Sequence, residues 1–99
     1  MKYRVVIAKS AQEDFNELDA RWRSTVKEAM RTHLENAPRQ ESKSRIKRLR
    51  GLRQPQYRLR VDRLRVFYDV SDEEGRVEVL GFVMKPGAKG WLGEHGVPE

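Results

Sequence analysis

The chain has 99 residues, 37% of them hydrophobic, enough for one small domain spanning 1–99 around a modest core. Lys and Arg number 21 against 15 Asp and Glu, and a pI near 10.0 is the footprint expected of a nucleic-acid binder, or of a solvated cationic surface that keeps a small protein soluble. The absence of cysteine excludes disulfides and thiolate metal sites, and no apolar run approaches the ~20 residues that cross a bilayer.

The opening ten residues have a basic flank but too short an apolar stretch for a signal peptide, so a cytoplasmic protein is expected. Within them, Tyr3 to Ala8 is β-branched and aromatic-rich and predicts a first strand. Ser10 with Glu13 three residues on reads as a capping box opening a helix. Ala11, Phe15, Leu18 and Trp22 then recur on one helical stripe, with a break between Asp19 and Ser24. Val26, Ala29, Met30, His33, Leu34 and Ala37 form a second stripe closed by Pro38, which makes a helical hairpin. His33 reads as a packed helix histidine; it lies far from His95, with no carboxylate cluster beside either, so neither zinc nor another cofactor is expected.

Arg39 to Arg48 is polar and basic and reads as a loop with room for one helical turn. Gln56 to Val61, Leu64 to Val70 and Val77 to Met84 predict three strands joined by Asp62-Arg63 and by Asp72 to Gly75. Pro86 and Gly87 are expected to end the last strand, and Ala88 to Leu92 to open a short helix. The order β-α-α-β-β-β is that of an α+β domain, a two-helix hairpin packed on a three-stranded antiparallel meander plus the N-terminal strand. Phe15, Leu18, Trp22, Met30, Leu34, Leu59, Val66 and Val79 are the expected core.

Alternation puts Tyr57, Leu59 and Val61 on one face and Arg58 and Arg60 on the other. A two-residue turn then pairs Val61 with Leu64, Arg60 with Arg65, and Arg58 with Phe67. Like charges directly opposite destabilise a sheet by about 0.2–1 kcal/mol, whereas a polyanion converts the same arrangement into affinity. A solvated edge hairpin that deters aggregation would also carry such residues. Removing Arg60 or Arg65 is expected to weaken RNA binding while costing the fold little, or stabilising it by relieving the repulsion. Phe67 among them offers a base a stacking surface, or packs under the C-terminal segment. Lys85 ends the last strand, where functional residues concentrate. Lys47, Arg48, Arg50 and Arg53 belong to a dense basic run that reads as a phosphate-tracking flank.

Tyr3-Arg4-Val5, Ala11-x-x-Asp14-Phe15-x-x-Leu18, Lys47-Arg48-Leu49-Arg50-Gly51, Tyr57 to Val61, Leu64 to Tyr68 and Val77 to Leu80 together resemble the RelE/ParE toxin superfamily from end to end. The ending Met84 to Leu92 is similar to a subgroup that finishes in a lysine followed by Trp-Leu. The resemblance implies a type II toxin-antitoxin module, with an acidic antitoxin as partner. In the RelE branch it implies a toxin that enters the ribosome and cuts mRNA without metal, through attack of a 2′-hydroxyl on the adjacent phosphate. Arg58 and Arg60 fall at a pair of basic positions, Arg65 at an arginine, Lys85 at a second arginine, and Trp91 near a tyrosine. Arginine stays protonated (pKa above ~12), so Arg58 and Arg60 match stabilisation of a phosphorane and not proton abstraction. Trp91 has no ionisable hydroxyl but can stack on a base. Lys85 is then the candidate for proton transfer.

Three functions fit: a ribosome-dependent mRNA endonuclease, a ParE-like inhibitor of DNA gyrase that needs no catalytic group, and a nucleic-acid-binding homologue without activity.

Overall fold

A computed structural model describes residues 2–99. Strand β1 (Arg4–Ile7) leads into helices α1 (Lys9–Glu17) and α2 (Ala20–Leu34). Two short strands follow, β2 (Ile46–Arg48) and β3 (Leu52–Gln54), then the long meander β4 (Tyr57–Val61), β5 (Leu64–Ser71) and β6 (Arg76–Met84). Helix α3 (Lys85–His95) and β7 (Val97–Pro98) close the chain. The main sheet runs β1-β6-β5-β4-β2, with β1 parallel to β6 and the other pairs antiparallel; β3 and β7 form a separate two-stranded sheet. Among the described residues, no helix is long and apolar enough to cross a membrane.

The α+β order predicted from sequence holds, and so does the meander register. Val61 pairs with Leu64, Arg60 with Arg65, Leu59 with Val66, and Arg58 with Phe67. The turn closes without glycine because Asp62 itself takes a positive φ of 55°, a conformation aspartate tolerates better than most residues. Leu59, Val61, Leu64, Val66 and Tyr68 are buried against α1 and α2, where Phe15 packs on Phe82 with ring centroids 5.3 Å apart. Fully burying one such side chain contributes about 1.5–3 kcal/mol, so this face of the sheet drives the fold. Of the expected core, Leu18 and Trp22 are only partly buried; the other six residues are buried.

Four local expectations are corrected. Helix α1 begins two residues early, at Lys9 with Ala8 as its N-cap, and no side chain caps it; the Ala8 carbonyl accepts from the amides of Ala11 and Gln12. Ser10 therefore lies inside the first turn. The interhelical break falls at Leu18 and Asp19: the Asp19 carboxylate accepts from the Trp22 amide at 2.9 Å, and the Arg23 guanidinium donates to the carbonyls of Asn16 and Leu18. Trp22 thus belongs to α2. The 39–48 stretch is not all loop, since its end pairs as β2 along β4. Pro86 and Gly87 do not separate strand from helix: α3 starts at Lys85 and takes Pro86 into its first turn, where a missing N–H costs nothing.

Both free margins of the sheet's basic end are tied down. The edge of β2 is blunted by its own loop: the Ser42 amide donates to the Ile46 carbonyl at 3.0 Å, and the Arg48 amide donates to the Glu41 carboxylate at 2.9 Å. Helix α3 contributes no fully buried residue, and its ends are held by the Lys85 amide on the Arg63 carbonyl (2.7 Å) and by β7 on β3.

Candidate nucleic-acid interface

The face of the sheet turned away from α1 and α2 carries the basic residues in two rows. Directly opposite residues in neighbouring strands share a face, so register alone assigns the rows. Lys47 on β2, Arg58 on β4, Phe67 on β5 and Gly81 on β6 make the first. Arg60, Arg65 and Val83 make the second, extended by Arg45, whose carbonyl accepts from the Arg60 amide at 2.8 Å.

The three arginines sit in different environments. Arg60 is exposed. Arg65 is only 7% exposed, and its guanidinium donates to the carbonyls of Asp62 (2.8 Å) and Leu64 (3.2 Å), which ties it to the β4–β5 turn. Arg58 is half-buried, and its Nε is buried with no hydrogen-bond partner among the described residues. Burial, then the charges of Arg65 and Arg60, push Arg58 below the usual arginine range. Burial and Arg60 do the same to Arg65, against a smaller opposing pull from Asp62. None of the ion pairs among the described residues involves Arg58, Arg60, Arg65 or Lys47. A protein-only state therefore leaves three guanidinium groups repelling one another, and an anion would relieve the repulsion and supply the missing acceptor.

Phe67 is not an open stacking platform. It is 1% exposed because the Trp91 indole covers it, rings 4.8 Å apart and inclined by 8°. The indole occupies the space beside Phe67 where Gly81 has no side chain; a Cβ on Gly81 would lie 2.5 Å from Trp91 Cζ2. Of the two placements that the sequence allowed for Phe67, packing under the C-terminal segment is the one adopted. Trp91 is itself partly exposed, with the His95 ring 4.8 Å away.

The basic run 43–53 divides. Lys47 joins the arginine face. Arg48 is consumed by the protein, contrary to the reading of the run as a uniform flank: it donates to the carbonyls of Leu49 and Gln56, lies over the Tyr57 ring, and pairs with Glu99. Arg50 and Arg53 are exposed in the β2–β3 turn and on β3, outside the main sheet. Lys85 is exposed at the first position of α3, beside the turn that Arg65 braces and at the margin of the arginine rows. Among the described residues, no group of His, Asp and Glu gathers as a metal site. His33 is half-buried in its helix, and burial, then Arg45, lowers its pKa.

The comparisons with known proteins decide what carries this face. The family model for the ParE toxin of type II toxin-antitoxin system, parDE, matches residues 5–83. The chain is a toxin of the RelE/ParE family. Its fold matches that of RelE in the archaeal RelE-RelB complex of Pyrococcus horikoshii OT3, with a TM-score of 0.68, 27% identity, and coverage of 86% of this chain and 97% of that one. It also matches a mutant of the E. coli toxin RelE in the free state, with a TM-score of 0.70, 25% identity, and coverage of 95% and 94%. A chain of the RelBE2 toxin-antitoxin complex from Mycobacterium tuberculosis matches with a TM-score of 0.66, 24% identity, and coverage of 85% and 99%. A search of curated proteins returned no match.

Two members of the toxin's basic face escape a reading of its sequence. Arg45 lies in the basic run but is set apart from it only by pairing beside Arg60. Gly81 interrupts an apolar strand, Val77 to Met84, and a strand glycine is a signal of close approach by another group, here Trp91.

Proposed function

We propose that this toxin is a metal-independent endonuclease of ribosome-bound mRNA, kept silent by an acidic antitoxin. The observation that carries the reading is the cluster of Arg58, Arg60 and Arg65, three guanidinium groups that have no carboxylate partner among the described residues, one of them with a buried Nε that lacks an acceptor there. Such a cluster matches the charge of a phosphate passing to a dianionic phosphorane, where preorganised donors accelerate reaction most. In the reaction, the 2′-oxygen bonds to phosphorus and the bond to the 5′-oxygen breaks. One proton must leave the 2′-hydroxyl and another must reach the 5′-oxygen. Lys85, at the margin of the cluster beside the turn that Arg65 braces, is assigned the proton transfer, because an amine can act as acid and base where a guanidinium cannot; the arginines hold charge only. Lys47, Arg50 and Arg53 add salt-sensitive affinity for the backbone.

The solved relatives support the partner. RelE chains similar to this one crystallised with RelB antitoxins, and a net charge of +6 suits an acidic segment that folds on binding.

The family model's ParE description favours a second reading, inhibition of DNA gyrase by protein contact. One experiment separates the two. Purified toxin is added to an in vitro translation reaction and the mRNA is mapped by primer extension, while a parallel reaction follows gyrase supercoiling. Ribosome-dependent cuts with unaffected supercoiling support the endonuclease. Intact mRNA with poisoned gyrase overturns it.

A further inference from the structure

Beside the aromatic stack lies a cavity of about 160 Å³ lined by Ser10, Gln54, Pro55, Leu80, Trp91 and His95. Its walls come from four separate parts of the chain: the start of α1, the end of β3, β6 and α3. Leu80 reaches it because the register slips between Phe67 and Tyr68. Phe67 pairs with Gly81 but Tyr68 with Val79, which leaves Leu80 as the extra residue of a bulge. The aromatic wall is the part of Trp91 that Phe67 does not cover, continued by His95.

The polar wall is Gln54. Its Nε2 donates to the Asp69 carboxylate at 2.6 Å, and the same carboxylate is held by the Gln56 amide at 2.8 Å. A carboxylate accepts only, so Asp69 fixes which end of the Gln54 amide is nitrogen. The Oε1 acceptor and the second N–H are left for a ligand. That adjacent acceptor-donor pair is the complement of adenine N6–H and N7, the pairing that Gln and Asn make with adenine. A flat apolar wall, an oriented amide and a hydroxyl are what proteins use to hold an unstacked base of single-stranded RNA. The cavity also adjoins the arginine rows, since Trp91 stacks on Phe67 and Phe67 is the cross-strand partner of Arg58.

From this juxtaposition we infer that the cavity is a base-recognition pocket, in which Gln54 reads adenine and Trp91 and His95 stack on it, while the arginines hold the neighbouring backbone. The inference rests on the RNA-directed reading above and assigns that reading a base preference.

The test uses the full chain and fluorescence anisotropy with short labelled RNAs of single composition, oligo(A), oligo(U) and oligo(C), and an abasic ribose-phosphate oligomer. Wild type should bind oligo(A) more tightly than oligo(U), oligo(C) and the abasic chain. Gln54→Leu should weaken oligo(A) by roughly five- to tenfold and leave the other three unchanged. His95→Ala, which spares the Gln54–Asp69 pair, should weaken all three base-bearing oligomers together and spare the abasic chain. Equal binding of all four oligomers by wild type overturns the pocket while leaving RNA binding in place. So does an oligo(A) preference that survives in a folded Gln54→Leu variant. Failure of wild type to bind any of the four overturns the pocket, while primer extension on translated mRNA separately decides the endonuclease reading on which it rests.

Discussion

Arg60 and Arg65 face each other across the β4–β5 pair, and replacing each by alanine should have opposite effects on stability and the same effect on RNA binding. Arg60 is exposed, so Arg60→Ala removes only a like-charge opposition and should leave stability level or raise it by about 0.2–1 kcal/mol. Arg65 is 7% exposed and donates to two carbonyls of the turn, at 2.8 and 3.2 Å. A hydrogen bond from a charged group contributes about 1.5–3 kcal/mol, and here the burial of the guanidinium and the repulsion from Arg60 offset part of two such bonds. The net loss on Arg65→Ala is then about 2 kcal/mol, which in a domain of this size lowers Tm by about 8–16 °C. The idea that both arginines are dispensable to the fold is thereby corrected for Arg65. Thermal denaturation followed by circular dichroism measures the difference. Anisotropy with a labelled RNA over a salt series should show both variants binding more weakly, each with a salt slope reduced by about 0.7. Equal melting of the two variants, or a lower Tm for Arg60→Ala than for Arg65→Ala, would refute the assignment of Arg65 to the turn.

Lys85→Met should abolish single-turnover cleavage on programmed ribosomes while the mRNA still binds, and EDTA should change nothing; cutting within a few-fold of wild type would remove Lys85 from the chemistry. Gly81→Ala places a methyl 2.5 Å from the Trp91 ring, so the indole must move and lose an aromatic contact of about 0.5–1.5 kcal/mol. In a Trp22→Phe background, emission from Trp91 should shift to the red in the Gly81→Ala variant, and an unchanged spectrum would show that the slot has slack. At the far end of the sheet, hydrogen bonds from Tyr3 and Arg39 hold Asp72 below the usual carboxylate range. A depressed folded value adds stability above the unfolded pKa and loses it as pH falls through the folded one. Wild type should therefore melt above Asp72→Asn at neutral pH, and the two curves should converge in acid; a constant gap would mean that the carboxylate's charge is not what matters.

How much of this was readable beforehand depends on the range of the interactions. The meander register follows from period-two alternation and a two-residue turn, both properties of neighbouring residues, and so Arg60 opposite Arg65 could be read directly from Tyr57 to Tyr68. The helical stripes are legible for the same reason, although Trp22 continues the apolar spacing of α1 and yet belongs to α2, because the Asp19 cap and the Arg23 contacts outweigh that spacing. Strand β2 was not legible. Three residues of a basic stretch become a strand only because β4 presents an open edge, and nothing within residues 39–48 encodes that edge.

The basic face shows the same division. Sequence determined its composition: cations on one side of two strands, with Phe67 among them. Tertiary structure decided its use. It turned Arg48 inward onto Tyr57 and two carbonyls, tied Arg65 to the turn, and left Arg58 half-buried without a partner for Nε. It also brought Trp91 over Phe67 from residues 24 positions further on, into the space left by Gly81. Local propensity and alternation act over a few residues, so a sequence displays them. Desolvation, like-charge repulsion and shape complementarity act between residues that only the folded chain makes neighbours.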